Sequence, residues 1–555
     1  LNERHPPKLA PALVLALDGA TFDVVGPMAD AGRLPHLARW MNEGAWSALP
    51  SVVPPVTFPA WSSFATGLHP GGHGIFDFTH KEPGAYRVRF TNASDRAGRS
   101  VFRRISDAGG RVLVLGLPAT FPPEPVSGLL VSGFDAPVST GTDARSASDP
   151  GLYRAIAARA GPWMRPDLDE SARDEGFHER AVETLLSRID RKERFALTAL
   201  ETLRERDGAR PDLVMVVFSE SDTVGHHYWR DHDRHSPRHD PEAGAARRDA
   251  VARVYARLDA ACGAIRRAYG HDARCVVLSD HGMGGAARRI VHLNRFLEER
   301  GLLVRRPGRP VDRWARAARD AALRWLPAAL AQALFRRARA AAARVESQAR
   351  FGGFDWSRTR AFSEEANTLP GIWINLRGRE ARGCVAAADY EKLRDEVIAA
   401  LEGWRLPDDG GGGTGPVVRR AWRREELYEG PFVDRAPDIV VELALDEGYG
   451  LSLVPTPWGR PGAAAVRTLP PEEWGGGRGR GMNGTHRRDG IWIDAGPGAG
   501  ETPADLAAVA PWLLHHMGIE RDDTPEDVAP RSRTDYSEEE DEIVARRLRA
   551  LGYLE

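Results

Sequence analysis

Short apolar runs separated by longer polar and mixed stretches set the rhythm of this chain. Runs of strand length occur at Ala12–Leu17, Val112–Leu117, Leu129–Val131, Leu213–Phe218, Cys275–Leu278, Ile372–Leu376, Ile439–Val440 and Ile491–Ile493. Several are almost unbroken Val, Ile and Leu, the pattern of strands buried on both faces. Between them lie helix-forming stretches. From Ala172 to Arg206 the chain is charged, with Ala181, Leu185 and Ile189 at i, i+4 and i+8. Alternating strands and helices predict an α/β protein with a mostly parallel central sheet flanked by helices. In such sheets chemistry gathers at the carboxyl ends of the strands.

The pattern breaks at 305–350, which is rich in arginine against only Asp312, Asp320 and Glu346. Leu323, Leu326, Leu330 and Leu334 fall near helical spacing, and Pro327 suits the start of a second helix. The segment reads as a helical insertion acting as a lid, with peripheral contact to a membrane surface as its lesser reading. Residues 1–304 and 351–530 then form one interrupted catalytic domain, and 531–555 a C-terminal tail that opens acidic and ends helix-like. Gly410–Gly415 and Gly475–Gly481 read as loops.

Composition narrows the function classes. The 555 residues carry a formal net charge of −2, so no global field points to nucleic acid, and no nucleic-acid partner is expected. Lysine occurs only at Lys8, Lys81, Lys192 and Lys392, and arginine supplies the remaining cations. Cys262, Cys275 and Cys384 are too few and too scattered for a disulfide scaffold or a zinc ribbon. No apolar run approaches the roughly 18 residues that span a bilayer, and Ala12–Leu17 is too short for a signal-peptide core. A cytoplasmic location is the default expectation.

Candidate chemistry sits at the strand ends. Ala12–Leu17 runs into Asp18, and Leu213–Phe218 into a segment containing Asp222 and His226. Cys275–Leu278 is followed by Asp280-His281-Gly282, and Gly484-Thr485-His486 precedes the run at Ile491. Thr57 lies in a Pro-Pro-Val-Thr-Phe-Pro segment. A carboxylate at a buried strand end is costly unless paired or bound to a metal. Asp222 and His226, at i and i+4, can share one helical face, and Asp280 and His281 suit neighbouring positions on one ion. Mixed carboxylate and imidazole ligands suit zinc, and also manganese.

The order of these segments resembles the alkaline phosphatase superfamily, closest to its type I phosphodiesterase/nucleotide pyrophosphatase branch. The stretch Thr57-Phe58-Pro59-Ala60-Trp61 through His73-Gly74-Ile75 is similar to the nucleophile loop of that branch. The resemblance implies an alkaline-phosphatase-like α/β fold and two divalent metal ions, Zn2+ or else Mn2+. It implies that Asp18, Thr57, Asp280 and His281 hold one ion, and Asp222, His226 and His486 the other. Thr57 is then the nucleophile, passing through a phosphothreonine, and the substrate is a small phosphodiester or pyrophosphate. A threonine cannot become formylglycine, and the sulfatase pattern is absent at Thr57–Trp61, so sulfatase activity is disfavoured.

Phosphomonoesterase or phosphomutase activity within the same superfamily is the alternative. A non-catalytic binding protein is the rival from another class, and the intact set of seven residues argues against it. Asn294 reads as a helix cap, and His69 and His73 as structural residues. Arg487 and Arg488 read as a solvated pair that could instead reach a phosphate.

Overall fold

The structure is a computed structural model that describes residues 9–137, 144–163, 176–306, 350–409, 413–456, 464–475, 480–496, 498–520 and 534–550. The helical insertion expected over 305–350 falls almost wholly on 307–349, outside the described residues.

The strands that build the site are, in chain order, β1 (Ala12–Leu17), β2 (Ala45–Pro50), β3 (Val112–Leu117), β4 (Gly128–Ser132), β5 (Leu213–Phe218), β6 (Arg274–Leu278), β7 (Gly282–Val291), β8 (Gly484–Arg487) and β9 (Asp489–Asp494). The central sheet has the order β2-β9-β6-β1-β5-β3-β4. The pairs β1–β5, β1–β6, β3–β5 and β3–β4 are parallel, and β9 runs antiparallel to β2 and β6. A mostly parallel sheet flanked by helices is therefore what the apolar runs encode.

The unbroken apolar character of β1 has a direct cause. Leu13, Leu15 and Leu17 pack into a core shared with α2 (Phe177–Asp207) and α4 (Ala250–Tyr269), whereas Val14 and Ala16 pack on the opposite face. That second face is covered by Trp61 and Phe64 of α1 (Thr57–Thr66) and by Leu513 and Leu514. No residue of the strand faces water, so alternation has nothing to report. On α2, Ala181, Leu185 and Ile189 are all buried, as their spacing requires.

A second, antiparallel sheet pairs Ala361–Phe362, Gly371–Ile374, Ile439–Leu443 and Val418–Arg423 over its own core. β7 pairs with β8 and with Tyr449–Leu453, and so carries the chain from the end of the central sheet towards this second layer. β7 leaves no apolar run in the sequence, because it begins Gly-Met-Gly-Gly and contains two arginines. Its first residues, Gly282–Gly285, are strand because β8 pairs with them. Asn294 does not cap a helix: the helix Leu293–Glu299 is preceded by His292, and Asn294 instead bonds the Ser363 carbonyl through Nδ2 at 2.9 Å. Among the described residues no helix is long and apolar enough to cross a membrane.

Candidate active site

Asp18 follows β1 at the carboxyl end of the sheet, and Asp280 and His281 lie between β6 and β7. Asp222 and His226 lie one turn apart on α3 (Glu220–His232), which opens directly after β5. His486 enters from β8. The fold thus brings six separated residues to one end of the parallel sheet. Gly19 makes the closest approach possible. Its φ of +65° is in the left-handed region, and a methyl there would stand 3.0 Å from Asp222 Oδ1 and 3.2 Å from its Cα.

The donors form two overlapping groups. Asp222, His226 and His486 offer ligand atoms within 4.8 Å of one another, and so do Asp18, Asp222 and His281. Asp222 Oδ1 lies 3.3 Å from His226 Nε2 and 3.4 Å from His486 Nε2. His281 Nε2 lies 3.6 Å from Asp18 Oδ1 and 3.5 Å from Asp280 Oδ2. Asp18 Oδ1, Asp280 Oδ2 and His281 Nε2 are buried and have no hydrogen-bond partner among the described residues. Three buried polar atoms facing one another, with nothing bonded to them, fit a cation-binding site and little else.

Backbone carbonyls decide which nitrogen of each imidazole faces the centre. His226 Nδ1 lies 3.0 Å from the Gly484 oxygen, His281 Nδ1 3.0 Å from that of Gly282, and His486 Nδ1 2.9 Å from that of Pro55. A carbonyl only accepts, so each Nδ1 carries the hydrogen and each Nε2 turns its lone pair inward. Metal-binding histidines are held in this way. The Nε2 atoms of His226 and His486 lie 2.9 Å apart. Two lone pairs at that distance need a positive charge on one of them or a cation between them.

Electrostatics tell the same story. Burial, then the neighbouring Asp222 charge, pushes the Asp18 carboxyl up to about 8. Burial, then Asp18, raises Asp280 well above the usual carboxylate range. Burial, then His486, holds His281 well below its ordinary value. Asp222 is the exception: burial opposes its charge, but His226 and His486 overcome that and hold it well below. Burial opposes the His226 imidazolium too, yet Asp222 wins and raises it.

Thr57 opens α1 and is wholly buried. Pro55, two residues before it, orients His486, and Trp61, four residues after it, donates from Nε1 to Asp18 Oδ2 at 3.0 Å. The turn that carries Thr57 is therefore tied to both donor groups. Neither Trp61 nor the three orienting carbonyls stands out in the sequence. The spacing of Trp61 to Thr57, one helical turn, is the only signal that could have found it. Behind the cluster, buried Lys192 donates to Glu220 Oε2 at 3.0 Å, just before the ligand-bearing turn of α3.

The remaining histidines and arginines fall elsewhere. His73 donates from Nε2 to Ser63 Oγ at 2.9 Å, accepts from the Ile75 amide, and is kept neutral by burial, its pKa pushed down to about 3. His69 approaches Asp505 at 3.6 Å, away from the donor groups. Arg487 is not a solvated residue: it donates to Thr485 Oγ1 and to the Gly285 oxygen, whereas Arg488 is exposed. His226 and His486 open onto a cleft of about 910 Å³, which Arg420, Trp422 and Leu427 of the second layer line together with Phe22 and Arg488.

Residues 12–452 match the type I phosphodiesterase/nucleotide pyrophosphatase family. The chain belongs to this family. It is thereby a phosphodiesterase/pyrophosphatase-family hydrolase of the alkaline phosphatase superfamily, and the family resemblance read in the sequence is borne out. His486 lies beyond the matched stretch, and the other six expected ligands lie within it. No curated protein matches the chain. Phosphonoacetate hydrolase from Sinorhizobium meliloti 1021, in complex with phosphonoacetate, superposes with a TM-score of 0.54 at 18% identity, covering 93% of this chain and 98% of that one. At that identity the likeness shows the fold alone, which is alkaline-phosphatase-like. Human ectonucleotide pyrophosphatase/phosphodiesterase 5 gives a TM-score of 0.45 at 13% identity, covering 92% of this chain and 95% of that one.

Occupancy of this phosphodiesterase-family site should depend on pH. Without a cation, Asp18, raised to about 8, holds a proton at neutral pH, and the raised Asp280 and His226 favour further protons. A divalent ion must expel them. Binding of zinc or manganese is therefore expected to release protons and to tighten from about pH 6 to about pH 8. Calorimetry in buffers of different ionisation enthalpy measures the release; pH-independent affinity would contradict it.

Proposed function

We propose that the chain is a metal-dependent phosphoryl-transfer hydrolase acting on a small phosphodiester or pyrophosphate through a phosphothreonine at Thr57. The observation that carries this reading is the inward convergence of three imidazole Nε2 atoms on the carboxylates of Asp18, Asp222 and Asp280. Asp18, Thr57, Asp280 and His281 would hold one ion, and Asp222, His226 and His486 the other, with Asp222 close to both. Such ions, zinc or manganese by the nature of the donors, supply Lewis acidity that favours the threonine alkoxide and neutralises phosphoryl charge.

The chain's own residues do the rest. Thr57 Oγ forms a bond to phosphorus as the bond to the leaving oxygen breaks. Water then attacks the phosphothreonine, freeing phosphate or its monoester and restoring the hydroxyl. Thr57 begins a helix, so the positive end of that helix would face a phosphoryl group carried on Thr57. Trp61 steadies Asp18 by its indole N–H. Arg419, which lines the cleft, is paired with Glu442 at 2.6 Å, whereas Arg420 lies over the Trp422 ring at 5.2 Å. Arg420 and Arg488 therefore offer positive charge to an anionic substrate, and the size of the cleft suits substituents on both sides of a diester.

The test is hydrolysis of bis-p-nitrophenyl phosphate beside p-nitrophenyl phosphate by zinc- or manganese-loaded protein. Diester turnover is expected to exceed monoester turnover. The reverse preference would replace the diesterase with a monoesterase or mutase, and no turnover of either with metal bound would favour a binding protein.

A further inference from the structure

We propose that the C-terminal helix α5 (Glu538–Ala550) is a positioning element for Thr57; this rests on the reading of Thr57 as nucleophile. The helix lies beyond the stretch that matches the family, and by sequence it is a tail that opens acidic and ends helix-like. Yet Val544, Ala545 and Leu548, spaced for one helical face, are at most 1% exposed and share a core with Val56 and Phe58. These two residues flank Thr57 on either side.

The wall they form is aromatic. The Phe58 ring lies 4.4 Å from that of Phe78 and 5.8 Å from that of Phe134, centroid to centroid. The tail is fastened around Phe134. Arg547 donates to the Phe134 carbonyl at 2.9 Å and to that of Ala136. Tyr536 donates to the Asp135 carbonyl at 3.1 Å and stacks on Phe121. The Thr534 carbonyl accepts from Asn92 Nδ2 at 2.7 Å.

Physical reasoning connects this packing to the nucleophile. Thr57 is the first residue of its helix, and the side chains on either side of it fix the chain where the helix starts. Val56 and Phe58 supply that packing, and α5 closes it. Nucleophilic catalysis is sensitive to a displacement of about 1 Å, which can cost about 100-fold. The other six ligand residues sit on or beside β1, α3, β6 and β8, none of which shares this core. The tail should therefore act on Thr57 before the donors, of which only His486, through Pro55, and Asp18, through Trp61, are tied to the same turn.

The test uses the full chain with Leu548→Asp, Val544→Asp and the conservative Leu548→Met, all metal-loaded. Turnover of bis-p-nitrophenyl phosphate, bound metal and amide hydrogen exchange are measured. For each Asp variant kcat is expected to fall about 10- to 100-fold with KM within about 2-fold. Bound metal should be retained, and exchange should quicken at residues 53–60 but not at 12–20. Leu548→Met should behave as wild type. Unchanged kcat and unchanged exchange at 53–60 in a folded Asp variant would overturn the proposal. So would loss of metal with faster exchange throughout, which marks a merely structural role. If the unaltered protein hydrolyses neither phosphate probe, it is the nucleophile reading that fails, and exchange at 53–60 still reports whether α5 holds this turn.

Discussion

Thr57→Ala is expected to abolish turnover while leaving both ions bound. The substitution removes the hydroxyl on which the proposed phosphothreonine rests, and it does so at a buried position that accepts a smaller side chain. Six donors remain, carried after β1, on α3, between β6 and β7, and on β8. A loss of about 10³-fold or more in kcat, about 4 kcal/mol of transition-state stabilisation, is the expected scale. Phosphate trapping gives the second readout: acid quenching with a labelled diester should leave label on the unaltered chain and none on Thr57→Ala. Residual turnover within tenfold would mean that water attacks the substrate directly and that Thr57 is at most a ligand.

The second large effect is expected at Asp222. Its carboxylate belongs to both donor groups, lying 3.3 Å from His226, 3.4 Å from His486 and in one group with Asp18 and His281. Asp222→Asn keeps the shape and removes the charge. Changing an orienting partner behind a ligand typically costs about 10- to 100-fold in metal affinity, so losing the shared carboxylate should cost more than about 100-fold. Metal analysis after dialysis should find both ions depleted together, and turnover lost with them. Depletion of one ion alone would show that the carboxylate serves a single site, as the resemblance by itself implies.

What was legible in the sequence follows from which atoms carry the information. β1 and β5 could be read because both faces of each are buried, which forces an unbroken apolar run. The aspartates and histidines could be read because each falls beside such a run. β7 could not, because its glycines sit where neighbouring chains pass close by: a methyl at Gly282 would stand 2.1 Å from the Asp489 carbonyl. The groups that aim the imidazoles were also invisible, since a backbone carbonyl is the same at Pro55, Gly282 and Gly484 as at any other residue. The tail misleads for a different reason. Its opening charges dominate the pattern, and only the folded chain reveals that Val544 and Leu548 share a core with Phe58.

Gly19 carries a further consequence. Bare main chain is all that separates the end of β1 from the first turn of α3, and a single methyl would already touch Asp222. The gap across the donor cluster is therefore set by the thickness of an unadorned polypeptide, a dimension that side-chain substitution cannot shrink. Selection acting on this site is left with the identity of the donors and the groups that aim them, so a change of preferred ion has to come through chemistry at fixed width.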